Sequence, residues 1–316
     1  MAKRVEKITF GIDVSKDSLV VFDWQSQESF TLANEPQAIR QWLDSLPLLA
    51  QIAVEPTAHY HRVLVDEALS RGTTIYLVDQ RQLVHYREAV NVRNKPDLED
   101  AQLLARYLVR EHDQLRSFRP HSRKAQRLWE LILRRGTVVQ CRQRVQQSLA
   151  EVQIPVKAVI TQLNALLLRL QQQILRLIRE LGWEADYQSC RSVPGLGPDN
   201  ASALTAAYHR GAFAGADAFV AYLGLDIRLR ESGTYKGKRK LTKRGEAELR
   251  RLLFCASRGA TCYQPFAQYL QKKRDEGHPK IATRMMLGRK LARIAFTLMA
   301  RQEMFVKKEI ATGKSP

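Results

Sequence analysis

The chain has 316 residues, 45% of them hydrophobic. That is enough apolar material for two or three cored domains, and it excludes a disordered chain. Its 51 Lys and Arg outnumber 32 Asp and Glu, giving a net charge of +19 and a pI near 10.0, an imbalance that points to a polyanionic partner.

Membrane insertion is not expected, because no apolar run approaches the ~20 residues a spanning helix needs. Met1–Lys7 runs directly into a strand pattern with no signal-peptide core. Four scattered cysteines (Cys141, Cys190, Cys255 and Cys262) form no C-x-x-C pair, so reduced thiols and a cytoplasmic location are expected.

In chain order, KITFGID (Lys7–Asp13) and SLVVFDW (Ser18–Trp24) read as strands of a hairpin around Ser15-Lys16-Asp17, with SFTLA (Ser29–Ala33) extending a meander. NEPQAIRQWLDSL (Asn34–Leu46) reads as a helix, with Asn34 as its cap and an early proline. QIAVE (Gln51–Glu55) and TTIYLVD (Thr73–Asp79) read as buried strands separated by a helix through Val63–Leu69. NKPDLEDAQLLARYLVR (Asn94–Arg110) is a helix with Asp97 and Asp100 in its first turn. Three meandering strands followed by α/β alternation predict a ribonuclease H-like mixed sheet flanked by helices.

From about Ser122 to Gly182 the chain is helical and basic. Leu163, Leu167, Leu170, Ile174, Leu177 and Leu181 recur in heptad steps, and Pro155 interrupts the segment. Two long helices forming an antiparallel or dimeric coiled coil are expected, against the alternative of an ordinary helix packed on its own domain. SVPGLGPDNASALTAAY (Ser192–Tyr208) then pairs a Pro-Gly-Leu-Gly turn with an Ala-rich helix, like a helix-hairpin-helix module whose backbone N–H groups approach a phosphate. A plain helix–turn–helix without a ligand reads almost equally well. FVAYLGL (Phe219–Leu225), a basic Gly/Ser loop to Gly245 and two helices through AELRRLLFCASR and RKLARIAFTLMARQ complete the chain.

Asp13 and Glu55 end their strands, and carboxylates at neighbouring strand ends converge where open sheets bind ligands. Asp97 and Asp100 would close the same point, and four acids so gathered would repel unless divalent cations sat between them. Taken singly, each reads equally well as a solvated acid or a helix cap. In LRESGTYKGKRKLTKRGEAELRR (Leu229–Arg251), Arg228 and Arg230 around the start and Lys236, Lys238, Arg239, Lys240, Lys243 and Arg244 beyond Ser232 suit phosphate-backbone contact. Ser232 alone, with no adjacent histidine to act as base, is a weak nucleophile candidate on pattern.

Together these stretches resemble the DEDD-type transposases of bacterial insertion-sequence family one hundred and ten, which includes the Piv DNA invertases. GIDVSKDSL, VEPTAHYHRVL, NVRNKPDLEDAQLLA, SVPGLGPDNASAL, FVAYLGLDIRLRESG and LTKRGEAELRRLL carry the resemblance over nearly the whole chain.

The resemblance implies a RuvC-like DEDD domain at 1–115, a coiled-coil region at 116–188 and a mostly helical transposase domain at 189–316. It puts Asp13, Glu55, Asp97 and Asp100 on the family's metal-binding acids, with Mg²⁺ or Mn²⁺ as cofactor, and Ser232 on its nucleophilic serine. It further implies strand exchange on DNA through a phosphoserine intermediate, guidance by a structured bridge RNA, and a dimer or tetramer with composite active sites. Piv-type inversion and hydrolytic cleavage without a covalent intermediate are the alternatives. Pro96, Ala58 and Thr242 depart from the family's usual threonine, glycine and serine. None of the three removes an acid or the serine.

Overall fold

The computed structural model describes residues 8–307, apart from 48, 58, 91–96, 151, 153, 229–230, 233–234 and 237–239, and gives the backbone alone at 97–99, 231–232 and 235–236. The chain divides into two compact units, 1–120 and 121–316.

The first unit is built on a five-stranded mixed sheet of order β3-β2-β1-β4-β5. β1 (Thr9–Val14), β2 (Ser18–Asp23) and β3 (Glu28–Ala33) form the antiparallel meander. α1 (Pro36–Asp44) leads to β4 (Gln51–Val54), and α2 (Arg62–Ser70) leads to β5 (Thr74–Leu77), with both strands parallel to β1. α3 (Gln80–Ala89) and α4 (Asp97–Glu111) follow.

Side chains alternate across the sheet with a period of two. Phe10, Ile12, Val14, Val21, Ile52 and Val54 therefore face α1 and α2, packing on Ile39, Trp42, Leu43, Leu64 and Val65. The opposite face offers Phe22 to Ala101 and Ala105 of α4, and Ala53 and Tyr76 to Leu103, Leu104 and Leu108 of α4. The result is a sheet between two helical layers.

Two local expectations change. β1 runs one residue past Asp13, which pairs with Val20 while Val14 pairs with Leu19. Asn34 does not cap α1: the cap position is Glu35, which makes no side-chain bond. The asparagine is used elsewhere, as described below.

The second unit opens with α5 (Arg123–Ser148) and α6 (Lys157–Glu180), separated at Pro155 as the sequence predicts. They run antiparallel, since Lys124 meets Glu180 at 2.9 Å and Arg142 meets Asn164 at 2.6 Å. Of the heptad stripe, Leu167 and Ile174 are buried, and Leu170, Leu177 and Leu181 pack on the unit's own core.

α7 (Glu184–Arg191) leads into α8 (Pro198–Tyr208), whose residues Asn200 to Ala207 are all buried. Alanine, serine and threonine at those positions let α5, α7, α10 (Ala247–Gly259) and α12 (Lys280–Arg301) close around α8. The turn before α8 uses its first glycine for packing: Gly195 has φ +89, and a Cβ there would lie 2.6 Å from the backbone of Ala260. Glycine is the residue that tolerates both conditions. α9 (Ala216–Tyr222) and α11 (Gln264–Asp275) cover the remaining core.

The basic segment expected as a loop is a folded-back ribbon instead. β6 (Ile227–Arg228) pairs with β9 (Lys240–Leu241), and β7 (Glu231–Ser232) pairs with β8 (Tyr235–Lys236), both antiparallel. Two-residue strands carry too little periodicity to be read from sequence.

Candidate active site

Asp13 and Glu55 leave the sheet side by side. β1 and β4 are parallel and in register through Ile12 opposite Val54, so each acid stands one residue beyond that last pair. Gly11 and Ala53 are likewise a registered pair on the α4 face. Asp13, two residues past Gly11, falls on that face too, as does Glu55 by continued alternation.

α4 lies unusually close over this point. A Cβ at Gly11 would sit 2.0 Å from the Ala101 carbonyl oxygen and 2.4 Å from the Ala105 amide nitrogen. Only glycine admits that approach, and it lets α4 lie against β1 at Ala101 and Ala105, immediately after Asp100.

Asp100 is 14% exposed and pairs with the guanidinium of Arg87 from α3, itself 19% exposed. An arginine so placed neutralises an acid that would otherwise be costly to shield from water. Asn34 bridges the two loops that follow the strand-end acids. Its amide nitrogen donates to the Ser15 carbonyl at 2.9 Å and to the Tyr60 carbonyl at 3.2 Å, while its backbone N–H donates to Asp17 O at 3.0 Å. One side chain thus couples the turn after β1 to the turn after β4. The same connection carries His61, whose imidazole is pushed below its usual range by burial.

The donor chemistry here is all oxygen, the type preferred by hard divalent cations. Among the described residues no three His, Cys, Asp or Glu side chains come together closely enough to hold an ion. Asp13, Glu55 and Asp100 therefore make no closed cage by themselves, and the Asp97 side chain lies outside the described residues. The acids fit a divalent cation in the type of donor atom they offer.

In the second unit, Ser232 of β7 is registered opposite Tyr235 of β8. The ribbon's base is firmly held. Thr242 donates its hydroxyl to the Asp226 carboxylate and its backbone N–H to Asp226 O at 3.0 Å. Gly224 takes φ +67, and a Cβ at Gly245 would meet the Tyr222 carbonyl at 2.4 Å. Arg250 reaches across to the Gly245 carbonyl at 2.6 Å.

Of the basic candidates, Arg228 and Lys240 are a registered pair, both exposed. Lys243 sits at φ 56 and Arg244 is exposed beside it. Lys236 is placed in β8 by its backbone, whereas Arg230, Lys238 and Arg239 lie outside the described residues, as do Ala58 and Pro96.

Comparison with known proteins gives two family matches. Residues 10–152 match the DEDD transposase profile of the IS110 group, and residues 187–271 match the profile described as transposase IS116/IS110/IS902 family. Between them they span most of the chain, in one order. The chain belongs to the IS110 transposase family. Within reach of this family are the pilin gene-inverting proteins of Moraxella bovis and Moraxella lacunata. Each is 24% identical over 323 residues, covering 96% of this chain and 99% of the relative. For an IS110-family transposase, sequence reasoning missed Arg87 and the bridging role of Asn34. Both act over contacts that no local spacing announces.

Proposed function

We propose that the chain is a DNA recombinase that cuts and rejoins strands by way of Ser232, with Asp13, Glu55, Asp97 and Asp100 as its divalent-metal ligands. One observation carries the reading: Asp13 and Glu55 emerge together at the carboxyl ends of adjacent parallel strands, beneath a helix drawn in by Gly11. The sheet order, a meander continued by parallel strands, supports assigning the first unit to the RuvC-like class. The antiparallel α5/α6 pair supports a coiled-coil region at 116–188 between the DEDD domain and the transposase domain at 189–316.

In the proposed reaction the Ser232 oxygen attacks the scissile phosphorus, and the bond to the leaving strand's oxygen breaks as that oxygen takes up a proton. The serine ester keeps the phosphodiester's bond energy. A hydroxyl of another strand then attacks the same phosphorus, and serine leaves as its hydroxyl. Mg²⁺ or Mn²⁺, when bound, supplies charge neutralisation and polarises the phosphate. The chain's own acids hold that charge in place, and Arg87 keeps Asp100 oriented. Arg228, Arg230, Lys236, Lys238, Arg239, Lys240, Lys243 and Arg244 then bind the DNA backbone beside the serine. Bridge-RNA guidance and a dimer or tetramer with composite sites complete the proposal, by family membership.

A second reading, site-specific inversion, is favoured by the end-to-end match to the pilin gene-inverting proteins. Strand joining on supercoiled DNA carrying candidate sites, with added Mg²⁺, tests the common core. Asp13→Asn keeps the size of the side chain and removes its charge, so joining is expected to fall by roughly 10²-fold or more. Undiminished joining by this variant would falsify the metal-acid assignment.

A further inference from the structure

α11 and α12 leave an open groove of about 340 Å³ between them, lined by Tyr269, Met286, Arg289, Lys290 and Arg293. The four residues from α12 recur in steps of three, one and three, so they share one face of that helix. Arg289 and Arg293 are about one turn apart, roughly 6 Å along its axis.

Of the three cations, one is matched by a carboxylate. Arg293 donates through Nε to Asp217 of α9 at 2.8 Å. Lys290 is exposed and holds its ammonium 4.5 Å from the centre of the Tyr269 ring. The ring steadies that charge without neutralising it. Arg289 makes no ion pair among the described residues. Burial pushes its guanidinium below the usual range, and the like charge of Arg293 pushes the same way. The groove therefore presents positive charge that the chain leaves unanswered.

Its place in the fold says what answers it. Asp226, gripped by Thr242 at the base of the ribbon, is near enough to Arg289 to act on its charge. The exposed pair Arg228 and Lys240 begins just beyond Asp226. The groove thus adjoins the cations of the ribbon. A small anion would engage one of them, whereas a polymer with a charge on every repeat engages several and releases a counterion at each.

We propose that the α11/α12 groove holds the phosphate backbone of the nucleic acid that the ribbon grips, with a phosphate at Arg289 and Lys290 and with Tyr269 positioning the lysine. The proposal rests on the nucleic-acid reading given above. It extends the contact surface from the ribbon onto α12.

The test is fluorescence anisotropy of the full-length protein with a labelled duplex, made once as DNA and once as RNA of the same sequence, over a salt series. Lys290→Gln and Arg289→Gln are each expected to weaken binding about fivefold to tenfold and to reduce the log–log salt slope by about one. Tyr269→Leu, which removes the ring beside Lys290, is expected to weaken it about threefold with the slope unchanged, and Tyr269→Phe to match wild type. Arg176→Gln removes the same charge from α6, where the side chain is 79% exposed and paired with Glu180. It is expected to stay within about twofold of wild type. Thermal unfolding of each variant establishes that the fold is kept, and the exposed Lys290 decides the matter where Arg289→Gln melts early. A loss confined to the DNA arm assigns the groove to a substrate strand, and one confined to the RNA arm assigns it to an RNA strand.

Wild-type affinity and slope in Lys290→Gln, or an equal loss in Arg176→Gln, overturns the groove alone. A wild-type protein that binds neither duplex overturns the groove together with the nucleic-acid reading.

Discussion

Ser232→Ala is expected to eliminate any covalent protein–DNA adduct and to lower strand joining by roughly 10³-fold or more, with DNA affinity within about twofold of wild type. The magnitude follows from removing a nucleophile outright rather than weakening its surroundings. The backbone pairing of Ser232 with Tyr235 uses no side-chain oxygen, and alanine is tolerated in so short a strand, so the ribbon keeps its register. Trapping with a nicked substrate, followed by denaturing electrophoresis, reads the adduct directly. Cleavage that persists at the wild-type rate in Ser232→Ala, still dependent on Mg²⁺, would mean that water is the nucleophile and that the protein is a hydrolytic nuclease. Adduct lost together with DNA binding would mean that the substitution had disturbed the ribbon and not the chemistry. Thr242→Ser, which keeps the hydroxyl that grips Asp226, supplies a neighbouring variant expected to join strands normally.

Gly11→Ala is expected to destabilise the first unit by about 3 kcal/mol, the upper end of what overpacking usually costs. The added methyl has no soft neighbour to displace: it meets the backbone oxygen of Ala101 and the backbone nitrogen of Ala105. Relief requires α4 to lift from the sheet, which separates buried Ala101, Leu104 and Ala105 from Phe22 and Ala53. Denaturant unfolding of wild type and variant measures the difference. Gly197→Ala is the matched control, because nothing lies within 4 Å of a Cβ at that position. A Gly11→Ala protein as stable as the control would show that α4 sits further from β1 than these contacts place it. Because α4 also carries Asp97 and Asp100, joining should fall along with stability.

Much of this was readable before any coordinates. The strand-end positions of Asp13 and Glu55 follow from apolar runs that stop at an acid, and the two long helices follow from periodicity broken at Pro155. The apolar residues of α4 at helical spacing likewise announce the helix that carries Asp97 and Asp100. Other features have no local signature. Asn34 precedes Glu35-Pro36 just as a capping residue would, and only the fold reveals that its amide reaches Ser15 and Tyr60 instead. Arg87 looks like one more basic residue among 51 Lys and Arg, because its partner Asp100 belongs to the next helix. Gly195 resembles a phosphate-binding glycine in sequence, but its contact with Ala260 is steric. The ribbon around Ser232 hides for a different reason: pairs of residues are too short to alternate.

The burial of α8 from Asn200 to Ala207 has a thermodynamic consequence. Amides in a helix enclosed on all sides exchange with solvent only when the whole unit opens, so this segment reports global unfolding in a hydrogen-exchange experiment. A ligand that binds only the folded second unit therefore slows exchange at Ala201–Ala207 by a factor of one plus its free concentration divided by Kd, without needing to touch these amides. Ligand affinity and the cooperativity of the second unit are thus one measurement, written in the same seven amides.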